Sequence, residues 1–133
     1  MPLGYTVSHS ARLVIAIAKG EVASEEVSHW LVALAEQGAL SYRKIYDATK
    51  MRGAWSDDVI LSFATFSKVQ GKFRRLGPLA IVARAKARAH VELFVRSATT
   101  VRPVRIFSDQ HEALRWLNEP GSDLTIRKTA DRP

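Results

Sequence analysis

His9, His29, His90 and His111 are the chain's four histidines, and they stand on four separate stretches with no H-x-H or H-E-x-x-H spacing among them. A metal site needs ligands that one element can aim at a common point, so this scatter predicts none. The absence of cysteine removes thiolate ligands, cysteine nucleophiles and disulfides together, and it fits a reducing compartment. A Ser-His-Asp relay could be drawn from Ser56, a histidine and Asp47, but no G-x-S-x-G turn is present to expose the serine. Neither a phosphate-cradling glycine loop nor a dinucleotide fingerprint occurs. The residues therefore point to binding rather than catalysis, with no cofactor expected.

The stretch "YDATKMRGAWSDD", residues 46–58, holds the first candidate binding set: Asp47, Lys50, Arg52, Trp55 and Ser56. Asp47 ends an apolar run where parallel sheets place functional groups, although capping a nearby amide is the plainer role for it. Trp55 lies in a polar loop, either as a lid over the core or as a contact anchor. Ser56 and Asp57 are both helix N-cap types ahead of "VILSF". A phosphate on Ser56 would meet the positive end of a helix but also the carboxylates of Asp57 and Asp58, so capping is the preferred reading.

Charge supplies the second candidate set. The chain carries a net +7 charge. Between Lys68 and Arg105 lie ten Lys or Arg residues against Glu92 alone. Lys72, Arg74, Arg75, Arg84, Lys86 and Arg88 form the proposed basic patch. Such a segment attracts phosphate, acidic protein or anionic lipid, while a merely solvated face is the plainer alternative. No aromatic residues alternate with these cations, so no base-stacking platform is indicated and nucleic acid is not the expected partner.

These residues must be positioned by a fold. The 133 residues are one domain's worth, with 47% hydrophobic and 25% charged residues. "GYTVSH" and "RLVIAIA" read as two antiparallel strands. Ser24 is expected to cap a helix with Val27, Trp30, Leu31 and Leu34 on one face and Gly38 at its end. "YRKIYDA" is a third strand. The spacing predicts a long helix over 57–75, burying Val59, Ile60, Phe63, Phe66, Val69 and Phe73. "LAIVARA" is a fourth strand and 86–98 a helix with Ala87, Val91, Phe94 and Val95 inward. "RPVRIFS" is a fifth strand, followed by a helix capped by Asp109 and Glu112. The predicted order is β-β-α-β-α-β-α-β-α: one mixed, mostly parallel sheet with its helices mainly on one face. Residues 1–119 form this domain, and 120–133 read as a loose polar tail. The apolar run "LVIAIA" is too short to span a bilayer, and the start of the chain lacks a signal-peptide pattern, so cytoplasmic residence is expected.

Assembled in this order, "IAIAKGEVASEEV", "KIYDATKMRGAWSDD", "AIVARAKARAHVELF" and "VRPVRIFSDQHEALRWL" resemble the STAS domain and its SpoIIAA-like relatives, over about residues 4–118. The resemblance is to the branch described as STAS/Sec14-like, a fold shared with bacterial anti-sigma-factor antagonists. It implies a non-catalytic binding or regulatory module with a protein partner or ligand. In the antagonist branch a D-S-[ST]-G loop carries the phosphorylated residue, which counts to Ser56 here. This chain has Trp55 in place of the acidic residue and Asp57-Asp58 in place of the small pair. The Sec14-like label implies the alternative of a binder of anionic lipid or a small hydrophobic ligand, with peripheral membrane contact, near Phe66, Phe73 and Phe94. An open sheet edge would also allow a homodimer.

Overall fold

Strand alternation and helix stripes set the architecture of the computed structural model, which describes residues 3–52, 57–72, 75–98 and 102–119. Strands β1 (Leu3–Ser8) and β2 (Leu13–Gly20) form a hairpin, followed by α1 (Ser24–Glu36), β3 (Arg43–Met51), α2 (Asp57–Gly71) and β4 (Leu79–Val82). A 3-10 turn (Ala85–Ala87), α3 (Arg88–Ala98), β5 (Val104–Phe107) and α4 (Gln110–Asn118) complete the order. The five strands lie side by side in chain order, β1 antiparallel to β2 and the others parallel. This is the mixed, mostly parallel sheet that the sequence predicts.

The one-way strand order fixes where the helices go. Parallel crossovers are right-handed, so α1, α2 and α3, each joining adjacent strands in the same direction, all land on one face. Helix α4 follows the last strand, is bound by no crossover, and covers the other face. Two cores result. Val14, Ala16, Ala18, Tyr46, Leu79 and Ile81 meet Val27, Trp30, Leu31 and Leu34 of α1, with Phe63, Phe66, Val91 and Phe94 packed against them. On the reverse, Ile45, Ala80, Val82 and Phe107 meet Ala113, Trp116 and Leu117 of α4. β4 is buried along its whole length because both its faces are covered.

Local chemistry explains the element ends. Gly38 adopts φ +70° after α1, and the Ala39 N–H reaches back to the Leu34 carbonyl at 2.8 Å. Helix α4 starts at Asp109, whose Oδ1 accepts from the Glu112 N–H at 2.8 Å. Gly77 has a packing reason: a Cβ there would collide with the carbonyls of Ser41 and Tyr42. Arg43 ties the turn between β1 and β2 to the end of α4, donating to the Ala11 carbonyl at 2.8 Å and to Asn118 Oδ1 at 2.7 Å.

Three expectations need correcting. The cap of α1 is Ala23, not Ser24; Glu26 substitutes for a capping side chain by accepting from the Ala23 N–H (3.4 Å) and the Leu3 N–H (3.2 Å). Helix α2 ends at Gly71 rather than residue 75. Its inner face is Ile60, Phe63, Ala64, Phe66 and Ser67, whereas Val69 is 44% exposed, because a strict three-residue step drifts off a helix with 3.6 residues per turn. Val59 and Phe73 have side chains outside the described set, and residues 120–133 lie outside the described residues.

Candidate functional site

Between the sheet and helices α1, α2 and α3 lies a cavity of about 140 Å³. Its walls are mostly apolar: Trp30 and Leu31 from α1, Ile60 and Phe63 from α2, Val91 and Phe94 from α3, and Leu79 and Ile81 from the sheet floor. The inward positions of β3 complete the floor with Tyr46 and Ala48. Met51, Ala87 and His90 also line it; His90 is exposed and the other two are half-buried, which puts the opening at the carboxyl end of β3 beside the start of α3. Parallel sheets concentrate ligand sites at this end of their strands.

Apart from His90 at the opening, polar groups in the wall are few and buried. Arg102, just ahead of β5, is 5% exposed. One guanidinium nitrogen, Nη2, donates to Ser67 Oγ of α2 at 3.3 Å, and Nε has no hydrogen-bond partner among the described residues. Trp30 Nε1 is likewise buried without an acceptor among them. The Trp30 ring packs against Tyr46 with centroids 5.6 Å apart. Burial lowers the Arg102 pKa to about 10, which leaves it cationic at neutral pH. Tyr46 is pushed the other way, its hydroxyl held neutral by burial and then by the charge of Glu26.

Lys44 is a second buried cation on the same face, 1% exposed. Its Nζ donates to the carbonyl oxygens of Leu40 and of Tyr42, the latter at 2.7 Å. Burial, and then the neighbouring Arg102 charge, hold its pKa well below the ordinary lysine range. Among the described residues neither Lys44 nor Arg102 meets a carboxylate.

The residues singled out from the sequence fall into different places. Asp47 faces α4, not the cavity: Oδ1 accepts from the Thr49 N–H at 2.9 Å and the Thr49 hydroxyl at 2.7 Å, and Oδ2 from Gln110 Nε2 at 3.3 Å. This capping turn coincides with a bulge, where two steps along β2 (Ile17 to Lys19) match three along β3 (Asp47 to Lys50). Lys50 lies on β3 rather than in a loop, and both it and Arg52 are exposed. Trp55, Ser56 and Arg74 lie outside the described residues.

The basic segment is divided by the topology. Lys72 and Arg75, both exposed, flank the route from α2 to the start of β4. Arg84, Lys86 and Arg88 follow the end of β4, so the sheet separates the two groups. Arg88 pairs with Glu92 at 3.9 Å. Lys50 and Arg52 bracket Met51, and Lys86 and Arg88 bracket Ala87, so cations from both predicted sets flank the cavity opening. The histidines stay apart: His9 bonds the Tyr42 hydroxyl at 2.8 Å, while His29 and His111 are exposed on α1 and α4. Sequence reasoning missed Trp30, Tyr46, Ser67 and Arg102 as a group, because their spacing of 16 to 72 positions forms no motif.

No family model and no curated protein matches the sequence. Solved structures do. An uncharacterised DUF3478-family protein with a SpoIIAA-like fold from Shewanella loihica is 21% identical, with a TM-score of 0.55 over 86% of this chain and 91% of that one. An anti-sigma factor antagonist from Mycobacterium paratuberculosis is 15% identical, with a TM-score of 0.58 over 88% of this chain and 95% of that one. In both, the likeness runs through nearly the whole sheet and its helices, and this chain accordingly has the SpoIIAA-like fold that its sequence resembles.

Proposed function

We propose that this chain is a non-catalytic binding module of the STAS type that holds a small, largely apolar ligand between its sheet and helices α1–α3. The observation that carries this reading is the cavity of about 140 Å³, walled by Trp30, Leu31, Phe63, Leu79, Val91 and Phe94. A close-packed interior leaves few voids larger than a water molecule, and a dry cavity of roughly 150 Å³ takes a six-carbon ring. A space of this size under three helices is a cost to stability that ligand binding would explain.

A protein partner is the second reading. Its support is the likeness to a protein named as an anti-sigma factor antagonist, together with exposed Lys50 and Arg52 at the sheet's carboxyl end. The two readings separate in a methyl NMR titration of the isolated chain with toluene and short-chain apolar probes. Ligand binding predicts saturable shifts centred on Leu31, Ile60, Leu79 and Val91, and at least tenfold weaker binding in Ala48→Leu, which fills the floor of the cavity. Shifts scattered over the surface, or an affinity that Ala48→Leu leaves unchanged, would remove the cavity from the account.

A further inference from the structure

Two buried polar groups of the residues around the cavity share one chemical character. Arg102 Nε and Trp30 Nε1 are both buried, both belong to residues that line the same space and both lack an acceptor among the described residues. Each is a donor only, since neither a guanidinium nor an indole N–H can accept. Buried polar groups in folded proteins are almost always paired, so two orphan donors on one cavity mark a missing acceptor. Arg102 adds a full charge: it is 5% exposed and, among the described residues, its one hydrogen bond is to the neutral hydroxyl of Ser67. A guanidinium taken from water without a counter-charge is strongly disfavoured, and its planar fork of donors matches a carboxylate.

The opening agrees in sign. Lys50, Arg52 and Lys86 are exposed around Met51 and Ala87, so an anion approaching the cavity passes through a positive field. Apart from Tyr46, Ser67 and the exposed His90, the remaining wall is hydrocarbon and aromatic ring, which selects an apolar body behind the charged head.

We propose that the cavity takes a small monocarboxylate with an apolar tail or ring of about six carbons, and that Arg102 binds the carboxylate. This rests on the cavity being a ligand site. Lys50, Arg52 and Lys86 add a weaker, screened attraction at the opening rather than a contact with the carboxylate. Hexanoate and benzoate are the probes that fit the space, and 1-hexanol and benzyl alcohol are their neutral counterparts.

Calorimetric titration of the intact chain tests this. Hexanoate is expected to bind at least tenfold more tightly than 1-hexanol, with the preference lost in Arg102→Met and partly kept in Arg102→Lys. Lys86→Glu, at the opening, is expected to weaken hexanoate less than Arg102→Met does and to steepen no preference among neutral probes. If 1-hexanol binds as well as hexanoate, the cavity remains a ligand site and the carboxylate assignment fails. Loss of hexanoate binding in Lys86→Glu with full retention in Arg102→Met overturns the role of Arg102. Should neither probe bind, the underlying ligand reading falls as well. If Arg102→Met does not fold, the comparison of hexanoate with 1-hexanol on the unaltered chain still decides the matter.

Discussion

The two faces of the sheet are built by the same strands and serve different ends. Under α4, Ile45, Val82, Phe107, Ala113, Trp116 and Leu117 form an apolar cluster, and Arg105 seals its edge by lying over the Phe107 ring at 5.3 Å and the Trp116 ring at 5.8 Å. Under α1, α2 and α3 the sheet buries two cations and leaves space. The α4 face is arranged for stability; the other face gives up packing where the orphan donors gather. That contrast teaches that a small sheet domain can pack the core on one face closely and keep room for binding within the core on the other, as functional sites commonly violate the packing rules obeyed elsewhere.

Truncating a large aromatic on each face should expose the difference most strongly. Trp116→Ala is expected to cost about 3–5 kcal/mol in urea unfolding, the range for a buried aromatic. Phe94→Ala, half-buried beside an existing space, is expected to cost only ~1 kcal/mol, because its contacts are already incomplete. Equal losses would erase the distinction between the faces.

Enlarging a small residue on each face gives a smaller effect and a change of sign. Ala113 is fully buried on the inner face of α4, and Ala113→Leu should destabilise by about 1–3 kcal/mol through overpacking. Ala48 borders the cavity, and Ala48→Leu should be neutral or stabilising by up to ~1 kcal/mol as it fills space. A destabilisation by Ala48→Leu as large as that by Ala113→Leu would mean that the cavity is not free to be filled.

The finest probe is pH. Lys44 has a lower pKa folded than unfolded, so the unfolded chain binds its proton more tightly and stability rises with pH up to the ordinary value of 10.5. Tyr46 has a raised pKa, so the unfolded chain loses its proton first, which lowers stability above the ordinary value of 10.0, while Arg102, lowered to about 10 by burial, raises it over the same range. Urea unfolding should therefore show a rise between pH 7 and pH 10, above which the Tyr46 and Arg102 effects oppose each other. Lys44→Met should flatten the rise; a rise between pH 7 and pH 10 that survives the substitution would reassign it to another group.

Much of this was legible in the sequence, and what was not has identifiable causes. The Val27–Trp30–Leu31–Leu34 stripe, Gly38 and the Asp109 cap are local signals, and the structure matches them. The alternation in "RKIYDA" shows which side of β3 each residue takes but does not distinguish a lysine that reaches solvent from one that turns back onto the carbonyls of Leu40 and Tyr42. Arg102 sits in a run of basic residues that reads as one charged surface, yet the fold buries it and sends its neighbours in sequence to different ends of the sheet. Cavity walls drawn from α1, β3, α2, β4 and α3 have no linear signature, since each contributes residues that also satisfy an ordinary core pattern.

Xenon tests the contrast between the faces without assuming any ligand, because it enters dry apolar space and little else. A crystal of the chain equilibrated under xenon pressure should show an atom between Phe63, Leu79 and Phe94 and none beneath α4. Xenon under α4 with the α1–α3 side empty would contradict the division of labour argued here.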